Sequence, residues 1–167
     1  MMDGGLLKFK NGFNYIKTSG LVLSAIGIVI IMLTIAIDVF LRNVFNSSIS
    51  GNYELIQKYL MPLVVFPAMA ITYASGIMPR LDMIVEKLSP KIQYVIHMII
   101  SLIDFLIMVL LIYYTWNYAM QALAAKVTFP AGGAMYPLYP ILFIVPIGFV
   151  LLAIEILLTM MSATKKS

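Results

Sequence analysis

Four long stretches of apolar residues constrain this chain more than any other feature of its sequence. They run over residues 18–37, 59–79, 92–125 and 127–154, and only His97 and Asp104 interrupt the third. About 20 helical residues cross the ~30 Å hydrocarbon core of a bilayer. Because unpaired backbone groups are costly in lipid, each stretch is predicted to form a membrane-spanning helix.

The composition indicates the same class of protein. The 167 residues are 62% hydrophobic and 11% charged, whereas soluble domains carry about 25% charged residues. We therefore predict an all-α integral membrane protein in which residues 1–167 form a single four-helix domain. The expected spans are about 18–41, 53–78, 91–123 and 136–161. The first stretch is too long for the apolar core of a signal peptide, so we expect it to remain as a helix.

The distribution of lysine and arginine predicts the orientation. With both termini in the cytoplasm, eight basic residues are cytoplasmic and three are outside, which is the bias that short loops of membrane proteins follow. The eight are Lys8, Lys10, Lys17, Arg80, Lys87, Lys91, Lys165 and Lys166, and the three are Arg42, Lys58 and Lys126. Two cytoplasmic segments, Leu6 to Lys17 and Arg80 to Leu88, have apolar residues at helical spacing between basic ones. They are candidates for short interfacial amphipathic helices that contact membrane lipids.

Several function classes are excluded or disfavoured by what the sequence lacks. The basic residues form no stripe, so nucleic acid is not an expected partner. The absence of cysteine excludes disulfides and thiolate metal sites. A single histidine cannot supply two axial ligands to haem, so neither a cofactor nor a metal is expected. No nucleophile–base pair or phosphate-binding loop is recognisable, and we expect no enzyme activity.

A cluster of charged residues lies at the outer ends of the first two predicted helices. Asp38 and Arg42 are four residues apart at the end of the first helix, and Glu54 and Lys58 are four apart at the start of the second. Glu54 would complement the helix dipole, and Asn52 is a candidate helix cap. This cluster is either a set of solvated helix ends or a docking surface for another protein.

A second set of polar residues lies within the predicted spans. His97, Ser101 and Asp104 share one face of the third helix, and Glu155 lies on the fourth, with Glu155 and Asp104 expected in the inner half to middle of the membrane. Ionisable groups at such depth usually face protein or a cavity. They are candidates for a proton relay or for polar contacts between helices or subunits, and we favour the second interpretation.

Several motifs resemble one family of transport proteins. The run Arg42-Asn43-Val44-Phe45, followed by Tyr53-Glu54-Leu55 and by residues 59–66 (YLMPLVVF), is similar to the small membrane subunit of tripartite ATP-independent periplasmic (TRAP) transporters. Residues 79–85 (PRLDMIV) resemble that family's inner loop, and Pro140 with Pro146-Ile147-Gly148 resembles its fourth helix.

The resemblance implies a non-catalytic scaffold subunit in the bacterial inner membrane. Its implied partners are a large elevator-type membrane subunit, which carries the substrate and sodium sites, and a periplasmic substrate-binding protein that the small subunit helps to dock. The implied substrates are organic acids such as C4-dicarboxylates or sialic acids. Two other functions remain open from the residues: a small proton-coupled exporter, for which the uncharged first helix is unfavourable, and a respiratory membrane anchor, for which the lone His97 is unfavourable.

Overall fold

The computed structural model describes residues 4–75 and 89–164. The helices of this part are α1 (Gly4–Phe45), α2 (Asn52–Leu55), a π-helical turn (Ile56–Leu60), α3 (Met61–Ala74), α4 (Pro90–Ala124), α5 (Tyr139–Leu142) and α6 (Ile144–Thr164). Two short strands, β1 (Thr128–Ala131) and β2 (Ala134–Pro137), lie between α4 and α5.

The four predicted membrane-spanning helices are confirmed. Four helical segments are long and apolar enough to cross a bilayer, at Gly12–Phe45, Asn52–Ala74, Ile92–Ala124 and Tyr139–Met161, and we call them the first to fourth spans. The first candidate interfacial segment, Leu6 to Lys17, belongs to α1, which runs through it without a break for 42 residues. Its interfacial position stays a prediction. The second predicted interfacial segment, Arg80 to Leu88, lies outside the described residues.

The spans are arranged in a row. The first packs against the second, the second against the fourth, and the fourth against the third. Two neighbours therefore cover the fourth span, and its Pro146, Leu152 and Ile156 are almost completely buried. The first and third spans lie at the two flanks of the row, and most of their apolar side chains are exposed.

Glycines bring the neighbouring spans close together. A β-carbon at Gly20 would lie 2.7 Å from the carbonyl oxygen of Pro67, and one at Gly148 would lie 2.6 Å from the β-carbon of Phe66. Both distances are shorter than a side chain tolerates. Helices in lipid associate through such close backbone packing, because no hydrophobic effect drives them together there.

The first span is held by one narrow seam. Its buried or half-buried residues recur at alternating intervals of four and three, whereas every other side chain between Gly12 and Phe45 is exposed. A repeat of 3.5 residues is the pattern of a helix that packs along a single stripe. The seam consists of Phe13, Lys17, Gly20, Ser24, Gly27, Ile31, Thr34, Asp38 and Leu41.

The two strands form a hairpin that the sequence analysis missed. The fourth apolar stretch begins at residue 127 and its span was expected from about residue 136, but residues 128–137 pair as an antiparallel ladder and Pro137 is the last residue of β2. The turn is Gly132-Gly133, with φ angles of 56° and 84°, the left-handed conformation that tight hairpin turns require. A glycine pair between two apolar runs is a sequence pattern that predicts a β-hairpin.

The hairpin packs onto the start of the second span. The Tyr59 hydroxyl donates a hydrogen bond to the Pro137 carbonyl, and the Tyr59 ring lies 5.5 Å from the buried ring of Phe129. The turn contacts the loop after α1, where a β-carbon at Gly51 would overlap the backbone of Gly132. We call this side of the molecule the hairpin end, and the opposite side, where α1 begins and α6 ends, the terminal end.

Candidate functional site

A buried ion pair joins the first and fourth spans. The Lys17 ammonium nitrogen lies 2.7 Å from a carboxylate oxygen of Glu155, and the two side chains are 8% and 10% exposed. The Lys17 nitrogen also lies 5.3 Å from the ring centre of Phe13, within the range of a cation–π interaction. Both charges are therefore compensated away from water.

The sequence did not identify Lys17 as the partner of Glu155; it indicated Lys17 as a cytoplasmic basic residue and as the end of a candidate interfacial segment. Lys17 follows Phe13 by four residues and precedes Gly20 by three, so it lies on the packing stripe of α1. This spacing was the feature that could have indicated a buried partner for Glu155. A lysine on the buried stripe of a membrane helix needs a carboxylate partner.

The seam carries two charged residues that are far apart along α1. Lys17 and Asp38 are three heptads apart, a rise of about 32 Å, which matches a hydrocarbon core of ~30 Å. No charged residue lies between them in α1. Glu155, which pairs with Lys17, lies at the terminal-end limit of this uncharged stretch, and its expected depth in the inner half to middle of the membrane stays a prediction.

Asp38 organises the loop at the hairpin end. One oxygen of its buried carboxylate accepts a hydrogen bond from the Ile49 backbone N–H at 2.7 Å, and the other lies 2.9 Å from the Arg42 guanidinium. The Arg42 side chain itself is 66% exposed. Asp38 therefore has a structural role in this position, while Arg42 presents its charge to the surroundings.

Glu54 and Lys58 are both exposed, and no ion pair joins them in the part of the chain that the structure describes. The helix widens into a π-helical turn over Ile56–Leu60. A wider turn rotates Lys58 away from the alignment that a spacing of four gives in an α-helix. Asn52 is not the cap that the sequence suggested, because it is buried as the first residue of α2 and Gly51 takes the capping position.

His97, Ser101 and Asp104 lie half-buried along the third span. They share a helical stripe with Ala119 and Ala122, which are fully buried near the hairpin end. Within residues 4–75 and 89–164, no hydrogen bond or ion pair joins any of the three to another side chain, and no group of ligands suitable for a metal ion is found. The structure thus brings Glu155 together with Lys17, and not with Asp104.

Comparison with known proteins identifies the family. Residues 31–166 match the family model described as tripartite ATP-independent periplasmic transporters, DctQ component. The chain belongs to the DctQ family. It is therefore a small membrane component of a TRAP transporter, as the sequence motifs indicated, and a multi-pass membrane protein. No curated protein matches the chain closely enough to refine this assignment.

The matched region of this DctQ protein includes most of the sites described above. It contains Asp38 with its loop, the hairpin, the polar stripe of the third span and Glu155. Lys17 and the first half of α1 precede it, so the buried ion pair joins a residue inside the family match to one before it.

Proposed function

We propose that this DctQ protein is the non-catalytic scaffold subunit of a sodium-coupled TRAP transporter in the bacterial inner membrane. The observation that carries this proposal, beside the family assignment, is the arrangement of the spans in a row. A single row of helices has no interior in which a polar substrate path can be enclosed. Its two flanks instead offer apolar helix faces, as on the first span around Val29 and on the third around Leu106.

The large membrane subunit is the proposed partner of these faces. It would carry the substrate and sodium sites and perform the elevator motion, and this chain would hold it in the membrane. The half-buried stripe of His97, Ser101 and Asp104 is proposed to provide polar contacts with that subunit or with the fourth span. No cofactor or metal is proposed for this chain, and the transported solute is proposed to be an organic acid.

The hairpin end is proposed to face the periplasm and the terminal end the cytoplasm. The excess of basic residues near the termini supports this orientation. The hairpin end then presents the exposed charges of Arg42, Glu54 and Lys58 beside the exposed Met135 to the periplasmic substrate-binding protein. Exposed charges of this kind steer the association of two proteins, and this effect weakens as the salt concentration rises.

Transport assays on the assembled system test this proposal. Proteoliposomes that contain this chain and its large subunit are assayed for organic-acid uptake at increasing concentrations of the binding protein. Charge reversal by Arg42→Glu or Glu54→Lys should raise the binding-protein concentration needed for half-maximal uptake, without reducing co-purification of the two membrane subunits. The effect should diminish at high salt, where the contribution of these charges is screened.

The matched control is Asn14→Lys, which changes an exposed residue at the terminal end. It should leave the dependence on binding protein unchanged. The docking assignment is wrong if the reversals at Arg42 and Glu54 behave like this control.

A further inference from the structure

The contacts along the seam set the rotation and depth of the first span against its neighbours. Only the seam of α1 is covered, and its central residues Gly20, Ser24 and Gly27 are small. Gly20 and Gly27 admit the backbone of Pro67 and the side chain of Val64, so shape contributes to the register of α1 against the second span. The Ser24 hydroxyl donates to the Gly20 carbonyl of its own helix, so within the described residues these three give α1 no polar contact with another span.

The Lys17–Glu155 pair supplies the missing directional contact. It links α1 to the fourth span, which is not the main packing neighbour of α1 in the row, and so connects the two sides of the second span. A buried charge without its partner is strongly unfavourable, whereas replacement of both charges by uncharged side chains is often tolerated. In some proteins, buried polar or ionic groups fix the register of packing at a cost in stability.

We propose that the Lys17–Glu155 pair is a register lock, which sets the rotation and depth of the first helix against the second and fourth spans. Rotation of α1 by one residue, about 100°, would move the ammonium group away from the carboxylate and into lipid. Asp38, three heptads further along the same seam, holds the other end of α1 through the Ile49 N–H. The inference concerns the isolated subunit, and its test does not depend on the proposed transport role.

The seam contains a site where register can be measured at a distance from the ion pair. A β-carbon built at Gly27 lies 3.9 Å from the β-carbon of Val64, within the ~3.5–4.5 Å range of disulfides. Gly27 is nearly three helical turns from Lys17, so a disulfide there reports the position of α1 and not the local contact. The sequence contains no cysteine, which leaves the introduced pair alone to react.

The experiment compares disulfide formation in Gly27→Cys/Val64→Cys under mild oxidation in lipid nanodiscs, with free thiols counted by maleimide gel shift. The disulfide should form readily with the native ion pair. Lys17→Glu or Glu155→Lys should slow its formation several-fold, because each reversal places like charges together. The exchange Lys17→Glu/Glu155→Lys should restore most of the native rate.

Two further variants separate loss of register from loss of folding. The uncharged pair Lys17→Met/Glu155→Gln should retain native helicity and a single elution peak, yet form the Gly27–Val64 disulfide more slowly. The control Val29→Cys/Val64→Cys places one cysteine on the exposed face of α1, where Val29 is 54% exposed. It should react poorly with the native ion pair and better in the uncharged background.

The inference is overturned if the folded uncharged pair forms the Gly27–Val64 disulfide at the native rate. It is overturned equally if the exchanged pair reacts no faster than the two single reversals, because the charges would then have no mutual role.

Discussion

Among individual residues, Asp38 shows how one buried carboxylate can organise a loop. Its two oxygens bind the Ile49 backbone and Arg42, and together they close the connection between the first and second spans. In the sequence, Asp38 and Arg42 are four residues apart, a spacing that allows an ion pair on one helix face. The sequence did not predict the bond to Ile49, because the path of the loop depends on contacts with the hairpin far along the chain.

Substitution of Asp38 should therefore cost more than substitution of its charged partner. Asp38→Ala leaves the Ile49 N–H without its acceptor and should lower the free energy of unfolding by about 1–3 kcal/mol. Asp38→Asn keeps an acceptor oxygen and should be milder. Arg42→Ala removes only a largely exposed partner and should cost at most about 1 kcal/mol. Denaturation of the purified chain in one detergent measures all three, and an Arg42→Ala cost equal to that of Asp38→Ala would contradict this assignment.

At the scale of elements, the apolar composition of the hairpin made its sequence resemble that of a membrane helix. Residues 128–137 contain no charge, so their hydrophobicity is that of a membrane helix. The prolines Pro130 and Pro137 and the Gly132-Gly133 turn oppose a helix, whereas the length and hydrophobicity of the apolar stretch favour one. Contacts with Tyr59 and with the loop around Gly51 stabilise the strands, and such contacts are not visible in a local pattern.

The two turn glycines should differ in their tolerance of a side chain. Both have positive φ angles, so Gly133→Ala should cost about 1–2 kcal/mol through backbone strain alone. Gly132→Ala should cost more, because its β-carbon would also lie 2.6 Å from the Ser50 carbonyl oxygen, whereas one at Gly133 meets nothing within 4 Å. The denaturation midpoints of the two variants provide the measurement. Equal losses would show that the contact between the turn and Ser50 contributes nothing.

At the scale of the whole molecule, the sequence predicted what depends on length and composition. Four spans follow from four apolar stretches, and the family assignment follows from motifs between residues 42 and 148. The order of the spans in the row was not predictable in this way, because all four helices are apolar on most faces. The partner of Glu155 depends on that order and was missed for the same reason.

We propose that this chain supports transport without performing it. The most direct test is sodium-driven uptake of radiolabelled organic acids into proteoliposomes, with the purified chain reconstituted either alone or with its large subunit and binding protein. We predict no uptake above that of empty liposomes for the chain alone, and saturable uptake only when all three components are present. Saturable, gradient-dependent uptake by the purified chain alone would contradict the claim.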